Sequence, residues 1–85
     1  MKLDIGSGRA KLAGYLTVDN DMSVGADILA DAEHSIPQVG FGSVDEIRAH
    51  HILEHFKPEN KVKVMALFYD LLKPGGILDI EVPLD

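Results

Sequence analysis

Near its start the chain runs from a short apolar stretch into two closely spaced glycines, Lys2-Leu3-Asp4-Ile5-Gly6-Ser7-Gly8. Glycine has no Cβ, so the backbone can turn left-handed there and a ligand can approach it closely. A second strand-like run, Tyr15-Leu16-Thr17-Val18-Asp19, ends on an acid. A glycine turn and an acid at the carboxyl ends of two neighbouring parallel strands form the start of many nucleotide-type sites. The pair suggests that an adenosine is held there.

Further strands fit the same layout. Residues 26–30, Ala-Asp-Ile-Leu-Ala, make a third short strand, and 31–43 read as loop around Pro37, Gly40 and Gly42. Val44 to Ala49 reads as a strand, though an unusually polar one. Residues 77–82, Ile-Leu-Asp-Ile-Glu-Val, alternate apolar and acidic, which predicts one wetter face. Between these strands lies the best helix. Pro58 suits its first turn, Val62, Met65, Ala66, Tyr69 and Leu72 fall at helical spacing, and Lys73-Pro74-Gly75-Gly76 stops it. Leu67, Phe68 and Leu71 widen the apolar surface, so the helix is either deeply buried or packed on both the sheet and a partner.

Strands alternating with helix and loop imply an α/β domain with a mostly parallel sheet and right-handed crossovers. One link is short. Only nine residues, Gly6 to Gly14, join the first two strands, where a parallel crossover normally takes a dozen or more. At most one helical turn fits.

The 85 residues form a single domain, 1–85, small enough that a partner chain is expected. The net charge of −6 and the lack of a basic stripe argue against direct nucleic-acid binding. No apolar run approaches the ~20 residues of a membrane span. Met1-Lys2-Leu3-Asp4 lacks a signal-peptide core, which makes the cytoplasm the expected location. Without cysteine there is no disulfide and no thiol nucleophile.

The glycine turn departs from the dinucleotide fingerprint. Lys11 stands at the third glycine position, and Asp19 follows Gly8 by eleven residues rather than ~20. With no room for a pyrophosphate-facing helix, NAD and FAD are disfavoured. Asp19 can accept from both ribose hydroxyls and Asp31 from an adenine amino group, whereas Asp21 and Asp27 read as solvated surface acids. His51 to His55 formally match the H-x-x-E-H zinc-protease pattern. The motif follows a strand directly, and only thirty residues remain for a third ligand and a substrate cleft. No metal site is expected.

The segments Leu-Asp-Ile-Gly-Ser-Gly, Gly-Tyr-Leu-Thr-Val-Asp, Ala-Asp-Ile-Leu-Ala-Asp, Val-Asp-Glu-Ile-Arg-Ala-His-His-Ile-Leu-Glu-His-Phe and Leu-Leu-Lys-Pro-Gly-Gly-Ile-Leu, taken in order, resemble the class I S-adenosylmethionine-dependent methyltransferases. The resemblance implies a Rossmann-like three-layer fold of about five strands, without the family's usual N-terminal helix and last two strands. It implies S-adenosyl-L-methionine as cofactor. Asp4, Gly6, Ser7 and Gly8 would form the loop around its methionine part. Asp19, with Asn20 beside it, matches the ribose acid, and Asp31 with Ala32 the region near adenine. Ala49, His50 and His51 would lie near the methyl group.

The missing parts usually cover the cofactor and shape the acceptor site, so cofactor binding is better supported than catalysis. If the chain is active, His50, His51 or His55 is the candidate proton acceptor, and the acceptor substrate, a small molecule or another class, is open. The alternatives are a non-enzymatic cofactor-binding or assembly module and, behind it, a zinc hydrolase. The last strand would lie at the sheet edge, and with the broad helix surface it predicts a homodimer.

Overall fold

The computed structural model describes residues 1–84. Five strands, β1 (Lys2–Ile5), β2 (Leu16–Asp19), β3 (Ile28–Leu29), β4 (Val44–His50) and β5 (Leu72–Glu81), build one sheet in the order β3-β2-β1-β4-β5. Every pair is parallel. Among the described residues one α-helix, α1 (Pro58–Leu71), precedes β5. This is the expected α/β, Rossmann-like arrangement. Its topological switch falls between β1 and β4, where strand order reverses. Among the described residues no helix is long and apolar enough to cross a membrane.

Sheet register explains the polar look of β4. Asp4 pairs with Arg48 and Arg48 with Asp79, so these residues share one face. Leu3, Ile47 and Leu78 share the other. The second set faces α1 and forms the core with Ile5, Val18, Val44 and Ala49. The first set makes its own contacts. Tyr15 donates its hydroxyl proton to Glu46, Lys2 lies 5.6 Å from the Tyr15 ring centre, and Arg48 Nε is 3.8 Å from Asp4. Burial pushes the Asp4 carboxyl up, and the Arg48 and His50 charges oppose the shift.

α1 begins with Pro58 and buries Val64, Phe68 and Leu71, with Leu67 half-buried. The expected stripe is therefore on the wrong side: Val62, Met65, Ala66 and Tyr69 are exposed. Both sets satisfy helical spacing. The buried one carries more hydrocarbon, whereas Ala66 gains little from burial and Tyr69 has a hydroxyl to keep wet. Truncating Phe68 to alanine costs about 3–5 kcal/mol.

Residues 31–43 form turns that bury Ile36 and Val39 under the sheet. Glu33, in the same segment, accepts from the Lys57 N–H at 2.8 Å and from Asn60 Nδ2 at 3.0 Å. It thus supplies α1 with the N-terminal acceptor that Lys57 itself lacks. The link between β1 and β2 contains no helix. β5 starts earlier than expected because Leu72 already pairs with Val44, followed by a register shift before Glu46 meets Ile77.

Candidate cofactor cleft

A cleft opens at the carboxyl ends of β1, β2 and β3. It is lined by Ile5, Gly6, Gly8, Val18, Asp19, Asn20, Ala30, Asp31, Ala32, Ile52 and Phe56. The cleft is open on one side and its volume is about 150 Å³, below the roughly 300–1,000 Å³ of sites that bury a drug-sized ligand.

The glycine turn forms the floor. Gly6 has φ +68° and donates its N–H to Val18 O at 2.7 Å. A Cβ on Gly6 would lie 2.6 Å from Ile52 Cδ1, so any larger residue would have to displace the Ile52 side chain on a left-handed backbone. Gly8 is also left-handed, and a Cβ there meets nothing within 4 Å, leaving open space over the backbone.

Asp19, at the end of β2, accepts from the Gly8 N–H at 2.9 Å through Oδ2 and from the Asp21 N–H at 3.0 Å through Oδ1. A carboxylate has about four acceptor positions, so two remain for ligand hydroxyls. Asp31 closes the next edge. Its Oδ1 accepts from the Glu33 N–H at 3.1 Å, and its Oδ2 lies 2.9 Å from His34 Nδ1. Ile52, packed against Gly6, and Phe56 add apolar lining.

Of the residues singled out from sequence, Gly6, Gly8, Asp19, Asn20, Asp31 and Ala32 meet at this cleft. Asp4 lies on the charged sheet face beside Arg48. Ser7 donates to its neighbour's carbonyl, Gly8 O, at 3.3 Å, and Ala49 is in the core. The histidines point elsewhere. His50 Nδ1 is 3.2 Å from Glu81, and its buried Nε2 is 3.0 Å from Asp79 without hydrogen-bond geometry. His51, left-handed at φ +58°, places Nε2 3.2 Å from Glu81 and donates its N–H to Glu81 O at 2.7 Å. His55 is exposed at the end of a single 3₁₀ turn, Leu53–His55.

Because His51 is left-handed and the turn starts after it, His51 and His55 share no helical face. Among the described residues, no three histidine, aspartate or glutamate side chains are arranged to hold a metal ion.

Asp21 and Asp27, read as solvated surface acids, are exposed and also anchor local structure. Asp21 accepts from the Ser23 N–H at 2.9 Å and caps the Met22–Val24 turn. Asp27 accepts from the Thr17 N–H at 2.9 Å and its hydroxyl at 3.0 Å, while the Asp27 N–H donates back to the Thr17 oxygen at 2.8 Å. These bonds hold Asp27 below the usual carboxylate range. No helical pattern marks Ile52 and Phe56 as partners, because they flank a single 3₁₀ turn and only the fold brings them together at the cleft.

Comparison with models of known protein families, with curated proteins and with solved structures finds no match.

Proposed function

We propose that the chain binds S-adenosyl-L-methionine, or its product S-adenosylhomocysteine, in this cleft. The observation that carries the reading is the charge of the lining. Two carboxylates, Asp19 and Asp31, face the cleft, and no lysine or arginine lines it. A sulfonium cation with a neutral nucleoside suits such a lining. A pyrophosphate does not, and the helix N-terminus that would receive one is absent between β1 and β2.

In this reading Gly6 and Gly8 let the ligand approach the backbone, and Asp19 accepts from the ribose hydroxyls. Asp31 accepts at the purine edge, and Ile52 and Phe56 exclude water from its apolar side. The cofactor would supply an electrophilic methyl group. The protein would position an acceptor in line with it.

A second reading, a cofactor-binding or assembly module without transfer, is favoured by the placement of the histidines. His50 and His51 turn to Asp79 and Glu81, and none of the three lines the cleft.

A second copy of the chain is the proposed partner. β5 ends the sheet with one side unpaired, and Val62 and Tyr69 stand 78% and 80% exposed on the outer face of α1.

Thermal melting with and without ligand tests the binding reading, since a ligand at 100 times its Kd stabilises the fold by about 2.7 kcal/mol. A shift with S-adenosylhomocysteine and none with NAD supports it, and no shift with S-adenosylhomocysteine contradicts it. Methyl transfer from labelled cofactor then separates enzyme from binding module.

A further inference from the structure

Asp31 lines the cleft just beyond the end of β3, and its carboxylate is not held by backbone alone. Its Oδ1 accepts from the Glu33 N–H at 3.1 Å, while Oδ2 lies 2.9 Å from His34 Nδ1. An ionised carboxylate only accepts, so the imidazole must carry its proton on Nδ1 and donate. The Asp31 carbonyl also accepts from the His34 and Ser35 N–H groups, both at 2.9 Å, which fixes the turn without any help from the imidazole. The His34 side chain is 69% exposed and makes no other hydrogen bond among the described residues. The fold does not need this ring. What it does is hold one oxygen of a cleft acid, leaving the other acceptor positions of that carboxylate available.

From this geometry we propose that His34 is a positioning residue for purine selection. By fixing the Asp31 carboxylate it presents an acceptor that takes a 6-amino group and rejects a 6-oxo group. The inference rests on the cofactor reading of the cleft. Discrimination of this kind is strongest where the polar group is buried; the Asp31 side chain is 45% exposed in the open cleft, so the preference expected here is modest. A 6-oxo purine offers a carbonyl where Asp31 requires a donor, so oxygen would face oxygen.

The test is calorimetric binding of S-adenosylhomocysteine and its 6-oxo counterpart, S-inosylhomocysteine, to the wild type, His34→Ala and His34→Asn. The Asn side-chain amide can replace Nδ1 as donor. The wild type should prefer the 6-amino ligand. His34→Ala should weaken that ligand about three- to tenfold and shrink the preference, the effect of one lost positioning hydrogen bond. His34→Asn should restore both. Melting curves check that the variants are folded. A His34→Ala protein that keeps the wild-type preference overturns the role of His34 alone. A wild type that binds neither ligand overturns the cofactor reading and this inference with it.

Discussion

The carboxylate at the end of β2 holds the glycine turn at the end of β1: Asp19 Oδ2 accepts from the Gly8 N–H at 2.9 Å. The same acid that is proposed to bind ribose therefore shapes the loop beneath it. Its second oxygen is fixed by the Asp21 N–H at 3.0 Å. Both oxygens are oriented before any ligand arrives, which lowers the ordering cost of binding.

Gly6→Ala tests how tightly that floor is packed. The new methyl would sit 2.6 Å from Ile52 Cδ1 on a backbone at φ +68°. Overpacking of this kind costs about 1–3 kcal/mol, and chemical denaturation should show the loss. Gly8→Ala meets no neighbour and should lose less stability, since only its left-handed backbone is strained.

Thr17→Val removes the hydroxyl that joins β2 to the segment leading into β3. Thr17 is buried, and its oxygen accepts from the Asp27 N–H at 2.8 Å. The valine variant keeps the shape and leaves that donor without its partner. A loss of about 1–3 kcal/mol is expected in urea unfolding.

Two acids should act in opposite directions with pH. Lys73 Nζ, 2.7 Å away, donates to Asp45 and is the main reason its carboxyl is lowered to about 2. That contribution is present above the ordinary 3.8 and is lost as pH falls from there toward 2. Asp45→Asn should flatten melting temperature against pH in that window. Asp4 is raised by burial, so its ionisation costs stability as pH rises past 3.8. Asp4→Asn should melt at or above the wild-type temperature at neutral pH. A clearly lower melting temperature would show that the Arg48 attraction outweighs burial.

Self-association is tested on the outer face of α1. The wild type should scatter light as a dimer, at twice 9.3 kDa. Val62→Glu with Tyr69→Glu should give folded monomers, because both positions are exposed. Substitution at Phe68 or Leu71 cannot serve here, since both belong to the core. A monomeric wild type at micromolar concentration contradicts the dimer.

The sheet was legible, apart from the early start of β5 at Leu72, because most strands are marked locally. The Gly6–Gly8 turn, the acid ending β2 and the Lys73–Gly76 stop all depend on near neighbours in sequence. Most of the cleft followed from the same signals. The face of α1 did not, because two apolar stripes with the same spacing compete and only the sheet decides between them. The roles of Glu33 and Asp27 were equally hidden. Glu33 reaches α1 from 24 residues away and Asp27 reaches Thr17 across ten, and nothing local marks either acid as a partner. The histidines carry the most obvious chemistry of the segment, yet register sets His50 opposite Glu81, and none of His50, His51 and His55 lines the cleft.

Isothermal calorimetry of S-adenosylhomocysteine with the wild type and Asp19→Ala is the most direct test of the cofactor cleft. Each charge-assisted hydrogen bond is worth about 1.5–3 kcal/mol. The wild type should bind one ligand per chain, and the folded variant at least about tenfold more weakly. Equal affinity in the two proteins, or no binding by the wild type, would contradict the account.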